Sequence, residues 1–457
     1  MSNIRLIFCI ILTIIGFSSC DPQIVRPIDD ELVKAIESFS ADGTLNYYIF
    51  PDEGDYSNYS PNSDLPYTID KKKIELGKML FFETALGAFP AVDQPDCYET
   101  YSCASCHLPE FAFTPGSPQA IADGGVGYGI YRYKNNDYNN NQPDAQGARP
   151  LSLINVSYVN NTLWAGVSGG DFLNASTTDL WEDTVINNYT ELTALNAEGY
   201  PGIETQNIEN INIHRFKFDA EFLETNGYKE VFEEAFEEFG PDYATEHSEE
   251  AFSFAISAYL RSIYANDAPF QQFLLGDYDD ALTLNQKEGA LLFFGEAGCA
   301  KCHNAPNLGG YSFHALGTKD LYQEHLSSIR TSELDFRNLG RAGFTGEESE
   351  MHAFKVPQLY NTKDYLTYFH GSSKYSLEEV IDYKLAATAE NENVSQLSSS
   401  FIPVSLSPEQ RSALLDFIEN GLYDPNLANK NTPESVLSGN CFPNNDSFSI
   451  PFQNDCN

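Results

Sequence analysis

The chain has 457 residues, 42% of them hydrophobic and 20% charged, which excludes a disordered chain or a mini-protein and leaves room for two or three domains with a buried core. Its 66 acidic residues against 26 basic ones give a formal charge of −40. Such a field repels phosphates, so it excludes nucleic acid and disfavours anionic membrane surfaces; it suits a basic or lysine-ringed protein partner, or simply a soluble exported surface.

The first 20 residues carry Arg5, an apolar run over 6–17 and then small residues, the pattern of an export signal, and the run is too short to span a bilayer. Phe17-Ser-Ser-Cys20 resembles a bacterial lipobox, which implies cleavage before Cys20 and lipidation of its thiol. The expected location is the cell envelope, as a periplasmic or outer-surface lipoprotein that touches membrane only through its N-terminal lipid.

LGKMLFFE, at 76–83, predicts a helix leading into Cys103-Ala-Ser-Cys106-His107. Polar stretches at 55–64 and 131–143 predict long surface loops, and Pro150-Leu-Ser-Leu-Ile-Asn155 then precedes Leu163-Trp164-Ala-Gly166. A link is expected around 210–218. Helical apolar spacing follows at 219–239, 248–265 and 283–294, where Gln286 is placed to close a capping box. EGALLFFG, at 288–295, leads into Cys299-Ala-Lys-Cys302-His303, and Pro357-Gln-Leu-Tyr-Asn361 before Phe369-His370-Gly371 echoes the first half. A helix at 376–387 and another opened by Ser407-Pro408-Glu409-Gln410 and stopped at Gly421 complete the pattern, and strand signals are scarce. The chain is therefore expected to be mainly α, with two related modules and long loops. The expected boundaries are 1–20 for the signal peptide, 21–215 and 216–423 for the modules, and 424–457 for a tail.

CxxCH carries its own chemistry: two thiols add to the two vinyl groups of haem, and the adjacent histidine reaches the iron. Composition alone predicts about 0.003 chance copies in a chain with 9 cysteines and 8 histidines, so two copies are a strong signal. No further Cys/His cluster closes a zinc site, and no βαβ setting supports a thioredoxin-like pair. Two covalently bound c-type haems are thus expected, on Cys103, Cys106 and His107 and on Cys299, Cys302 and His303, with the histidines as iron ligands. Of the other cysteines, Cys9 lies in the signal and Cys20 is the lipidation site. Cys441 and Cys456 bracket a Pro/Asn-rich tail and could form a disulfide, leaving Cys97 unpaired or paired with one of them.

The motifs LGKMLFF, CASCH, PLSLIN, AGCAKCHNAPNLGGYSFHALG, FKVPQLYNT and YFHGSSKYSLEEVIDY, in that order, resemble the bacterial di-haem cytochrome c peroxidases over about 71–421. The superfamily also holds the methylamine-utilisation di-haem enzyme, which oxidises tryptophans of a partner protein. The resemblance implies two cytochrome c-like haem domains and an oxidoreductase that reduces hydrogen peroxide to water with electrons from a small cytochrome c or similar donor. It makes His107 the ligand of the peroxidatic haem and His303 that of the electron-transfer haem, and family members are often dimers. Trp164 matches the family's tryptophan between the haems. Glu204 is the best match to its distal glutamate, with Glu209 or Asp183 as substitutes; a carboxylate there would carry a proton between the peroxide oxygens. The rival functions are a di-haem oxidase of a protein or small molecule, and a non-catalytic electron carrier.

Two departures stand out. Where many members place a histidine that closes the resting peroxidatic haem, this chain has Asp123, and no histidine occurs between His107 and His214; a haem without a histidine lock, needing no reductive activation, is expected. Where the family has a methionine or tyrosine ligand to the second haem, the register gives Lys384, next to Tyr383, and the only methionines are Met1, Met79 and Met351. The choice between Lys384, Tyr383 and no sixth ligand stays open. His314 and His370 match family positions near the second haem, with orienting or propionate-bonding roles, whereas His214, His247, His325 and His352 are not expected to bind iron. The family's inter-domain calcium is left open, because its loop reads Ala148-Arg149-Pro150 here.

Overall fold

The computed structural model describes residues 27–61 and 64–453, so the expected signal peptide, Cys20 and Cys456 lie outside the described residues. The fold is mainly helical. Its strands, among the described residues, are two short antiparallel pairs, Gly125–Val126 with Tyr133–Lys134 and Phe313–His314 with Phe354–Lys355.

Two helix crossings organise the core. Lys71–Phe82 lies across Ser248–Leu260, and Leu284–Phe293 lies across Pro408–Asp416. A Cβ on Gly77 would sit 1.9 Å from the Ala255 carbonyl oxygen, and one on Gly289 would sit 2.0 Å from that of Ala413, so glycine alone permits either approach. One turn later Phe81 meets Tyr259 at 5.3 Å between ring centroids, and Phe293 meets Phe417 at 5.7 Å. The duplication read in sequence is thus repeated contact for contact.

Local chemistry sets the helix ends. Asp70 accepts from the Lys73 N–H, and Thr283 with Gln286, like Ser407 with Gln410, forms a reciprocal capping box. The stretch expected as one helix over 219–239 is two helices, Ala220–Thr225 and Lys229–Ala235, because Gly227 turns the chain at φ +75°.

The loops repeat as well. Asn155 and Asn361 both take left-handed backbone, at φ 54° and 53°. The Asn155 N–H donates to the Ile263 carbonyl and its Oδ1 accepts from the Ala265 N–H; the Asn361 N–H donates to the Leu422 carbonyl and its Oδ1 accepts from the Asp424 N–H. Each asparagine ties its loop to the end of that half's second crossing helix.

The packing does not divide at 215/216. Ser248–Leu260 belongs with the first half, since its partner is Lys71–Phe82. The ends of the chain are exchanged: Pro27–Glu37 packs on Leu284–Phe293 of the second half through a buried Asp29–Lys287 ion pair of 2.7 Å. The segment after 423 returns to the first half, where the Ser102 and Ser105 hydroxyls donate to the Pro443 carbonyl at 2.8 and 3.0 Å. The crossing partners are far apart in sequence, which is why a boundary drawn at a polar linker misses them. No helix of the described residues is long and apolar enough to cross a membrane.

Candidate active site

Both CxxCH motifs form a single 3-10 turn after their crossing helix, Cys103–Ser105 and Cys299–Lys301. The His107 Nδ1–H donates to the Phe113 carbonyl at 2.9 Å and the His303 Nδ1–H to the Leu308 carbonyl at 2.8 Å; both acceptors belong to residues in left-handed backbone. Each bond fixes the tautomer and leaves Nε2 as the lone-pair nitrogen that binds a metal. Burial pushes both imidazoles down to about 4, so they are neutral at pH 7 as a ligand must be. Neither the four motif cysteines nor the buried Cys97 is in a disulfide, whereas Cys441 is disulfide-bonded. That removes the pairing of Cys97 with Cys441.

A cavity of about 820 Å³ opens beside Cys103, Cys106 and His107, within the range of cofactor and ligand sites. The helix Gly202–Ile213, Trp164 and residues just after the second motif, among them Asn307 and Gly309, line its other sides. Two buried cations face it. Arg149 is 3% exposed and its Nη1 has no partner, while Lys355 is 5% exposed and its Nζ makes no hydrogen bond among the described residues. Burial, reinforced by Arg341, pushes the Lys355 amine down to about 8. Unpaired buried cations in a chain of net charge −40 call for an anionic ligand, and haem brings two carboxylates. Arg149 and Lys355 each stand six residues before the anchoring asparagine of their half, so thiols, imidazole and cations fit the group in matching places.

The expected site residues are dispersed differently. Trp164 lines the cavity; its indole N–H donates to the Arg149 carbonyl at 2.6 Å and its carbonyl accepts from the Lys355 N–H, so it bridges the two halves. Glu204 does not line the cavity, and neither do Glu209 or Asp183. The Glu204 carboxylate is fully buried, takes two bonds from Arg261 at 2.9 and 2.8 Å and one from the Tyr67 hydroxyl at 2.8 Å. The carboxylate is thus committed to Arg261 and Tyr67, and it is not among the side chains that line the cavity. Asp123 is likewise buried and held by Arg215, Tyr138 and the Ala91 N–H.

Around the second motif, the two candidate sixth ligands, Tyr383 and Lys384, both pack against Phe369 and Phe401. The Tyr383 hydroxyl donates to the Leu316 carbonyl at 2.6 Å. The Lys384 amine sits 5.5 Å from the Phe369 ring centroid and 6.0 Å from that of Phe401; burial pushes it down to about 8, opposed by Cys302 and Cys299 nearby. His314 is bonded at both ring nitrogens, to Ser312 and Ser400, and His370 pairs with Asp320 at 2.8 Å while stacking on Phe354 at 3.6 Å. Sequence reasoning set His214 aside, yet its ring lines the first cavity, and its Nδ1 lies 2.6 Å from the Asp144 carboxylate, which lines it too. Its place directly after the Gly202–Ile213 helix is the only signal that would have suggested it. Among the described residues, no cluster of three His, Cys, Asp or Glu side chains is arranged to hold a metal ion, so calcium gains no support.

A family model described as di-haem cytochrome c peroxidase matches residues 71–279, from the first crossing helix past the second. Over those residues the chain is similar to the di-haem cytochrome c peroxidase family. The cytochrome-c peroxidase IdrP2 of Denitromonas iodatirespirans is 25% identical over 363 residues, covering 76% of this chain and 80% of that protein. The methylamine utilization protein MauG of Methylorubrum extorquens is also 25% identical over 363 residues, covering 78% and 79%. The crystal structure of a MauG-like protein associated with microbial copper homeostasis shares the fold, with a TM-score of 0.52 at 22% identity over 79% of this chain and 91% of that one. Members of this di-haem family are oxidoreductases.

Proposed function

We propose that the chain is a di-haem peroxidase that reduces hydrogen peroxide to water with electrons from a small cytochrome c or similar donor, in the cell envelope. The observation that carries this reading is the asymmetry of the two motifs. The cavity beside His107 includes hydrogen-bonding side chains such as Gln206, Asn207, Asn210 and His214 in its lining, whereas the Lys384 amine packs close to the second motif. Each half, closed by its own helix crossing, is one haem module.

Cys103, Cys106 and His107 would hold the first haem, and Cys299, Cys302 and His303 the second, with Arg149 and Lys355 receiving carboxylates. When bound, the haems supply the redox centres and an iron position open to peroxide. Lys384 would offer its amine to the second haem, and Trp164, which bridges the Arg149 and Lys355 backbone, would carry electrons between the modules. The strongly acidic surface suits a basic donor.

Steady-state turnover tests the reading: peroxide consumed with reduced cytochrome c is the expected result. Consumption only with another reductant would identify an oxidase of the kind the MauG resemblance suggests, and no peroxide reaction would leave an electron carrier. The ferric EPR spectrum is expected to show one high-spin and one low-spin haem.

A further inference from the structure

We propose that His214, oriented by Asp144, is the proton-transfer residue of the first haem cavity. The inference rests on the peroxidase reading and supplies the acid–base group that Glu204, locked to Arg261, leaves unfilled.

His214 follows the Gly202–Ile213 helix and is held from behind. Its N–H donates to the Asn210 carbonyl, its own carbonyl accepts from the Tyr101 hydroxyl at 2.5 Å, and its ring lies 5.9 Å from Phe216, which stacks on Tyr101. Asp144 is fixed in turn: its backbone bonds to Ala122 and Asp123, and its Oδ1 accepts from Gln146 at 2.9 Å. The carboxylate at 2.6 Å holds the Nδ1–H tautomer, so Nε2 is left as a base, with no partner among the described residues. Both side chains and His107 line one cavity, His214 with a quarter of its side chain exposed. The Gly202–Ile213 side chains that line this cavity include Gln206, Asn207 and Asn210, which hydrogen-bond but do not titrate in the physiological range.

In the step we assign, Nε2 accepts the proton of one peroxide oxygen and delivers it to the other. The O–O bond breaks, its electron pair leaves with the second oxygen, and that oxygen departs as water with both protons. The retained oxygen becomes the second water with two electrons from the cytochrome-type donor and two protons from solvent.

The test compares hydrogen peroxide with peroxybenzoic acid in single-turnover stopped flow on the two-haem protein. Benzoate leaves without needing a proton, so it bypasses acid assistance. His214→Gln should slow the hydrogen peroxide reaction by about 100-fold or more and the peroxybenzoic acid reaction by less than about 10-fold. Asp144→Asn, which keeps the hydrogen-bonding shape but frees the tautomer, should show the same selectivity at about 10-fold. Haem content and the ferric EPR spectrum should not change in either variant. Equal rates for wild type and His214→Gln would overturn the proposal, as would equal losses with both oxidants. Conversion of a low-spin first haem to high spin in His214→Gln would overturn it by making His214 an iron ligand. If wild type itself ignores both oxidants, the peroxidase reading fails; if wild type reacts and the variants match it, only the His214 assignment fails.

Discussion

The two CxxCH neighbourhoods are built on one frame and finished differently. In each, a glycine lets two helices cross at backbone contact, a phenylalanine one turn on packs near the histidine, at 6.5 Å for Phe81 and His107 and 6.3 Å for Phe293 and His303, and the histidine donates to a carbonyl of left-handed backbone. Beyond that frame, the first motif faces a large cavity with a histidine–aspartate pair in it, and the second has a lysine amine and two aromatic rings close by. In the proposed reading, the shared part would serve haem attachment and the divergent part would decide which iron can meet a substrate.

The strongest way to break the comparison is to remove one haem at a time. Cys103→Ala with Cys106→Ala should leave one haem per chain by pyridine haemochrome assay and abolish peroxide turnover. The same change at Cys299 and Cys302 should also leave one haem but retain a single-turnover reaction with peroxide. If both pairs behave alike, the division of labour is wrong.

Next in size is Glu204→Gln. Breaking a buried pair with Arg261 strands the guanidinium, so urea denaturation should show a loss of about 3–5 kcal/mol, while the single-turnover rate with peroxide in the folded protein stays within a few-fold of wild type. A folded variant that lost its peroxide rate would return the glutamate to the chemistry.

Gly77→Ala and Gly289→Ala test the shared frame. Each places a methyl against a carbonyl oxygen, and each should cost about 1–3 kcal/mol or more in denaturation, by similar amounts in the two modules. A large cost in one and none in the other would show that the crossings are not equivalent.

The smallest effects separate Lys384 from Tyr383. Lys384→Met exchanges an amine for a thioether and should raise the potential of the second haem, on the order of 100 mV by spectroelectrochemistry. Tyr383→Phe removes one hydrogen bond to Leu316, worth about 1 kcal/mol, and should leave that potential in place.

What could be read from sequence was local or repeated. The CxxCH turns, the capping boxes at Thr283 and Ser407, and the paired LFF helices are specified by residues a few positions apart, and all have the expected form. The packing partner of Lys71–Phe82 was not legible, because Ser248–Leu260 lies more than 160 residues further along the chain and only packing joins them. The choice between Glu204 and His214 was hidden for a related reason. The Gly202–Ile213 helix is buried on more than one side, with Glu204 against Ser253 and Arg261 and Asn207 against Ser257, so no polar stripe marks the side that faces the cavity. Asp123 and Asp144 look alike in sequence, yet one locks Arg215 and the other orients His214.

The return of the last residues onto Ser102 and Ser105 has a consequence for how the molecule is made. The back of the first motif is covered by Pro443 and Asn444, which leave the ribosome some 340 positions after the cysteines they shelter. Until they are made, the Ser102 and Ser105 hydroxyls lack these acceptors. The helix leading into the second turn packs on Pro27–Glu37, synthesised long before it, and on Pro408–Asp416, which still precedes Pro443 and Asn444 in the chain. The chain therefore roofs its haem sites in the reverse of the order in which it builds them.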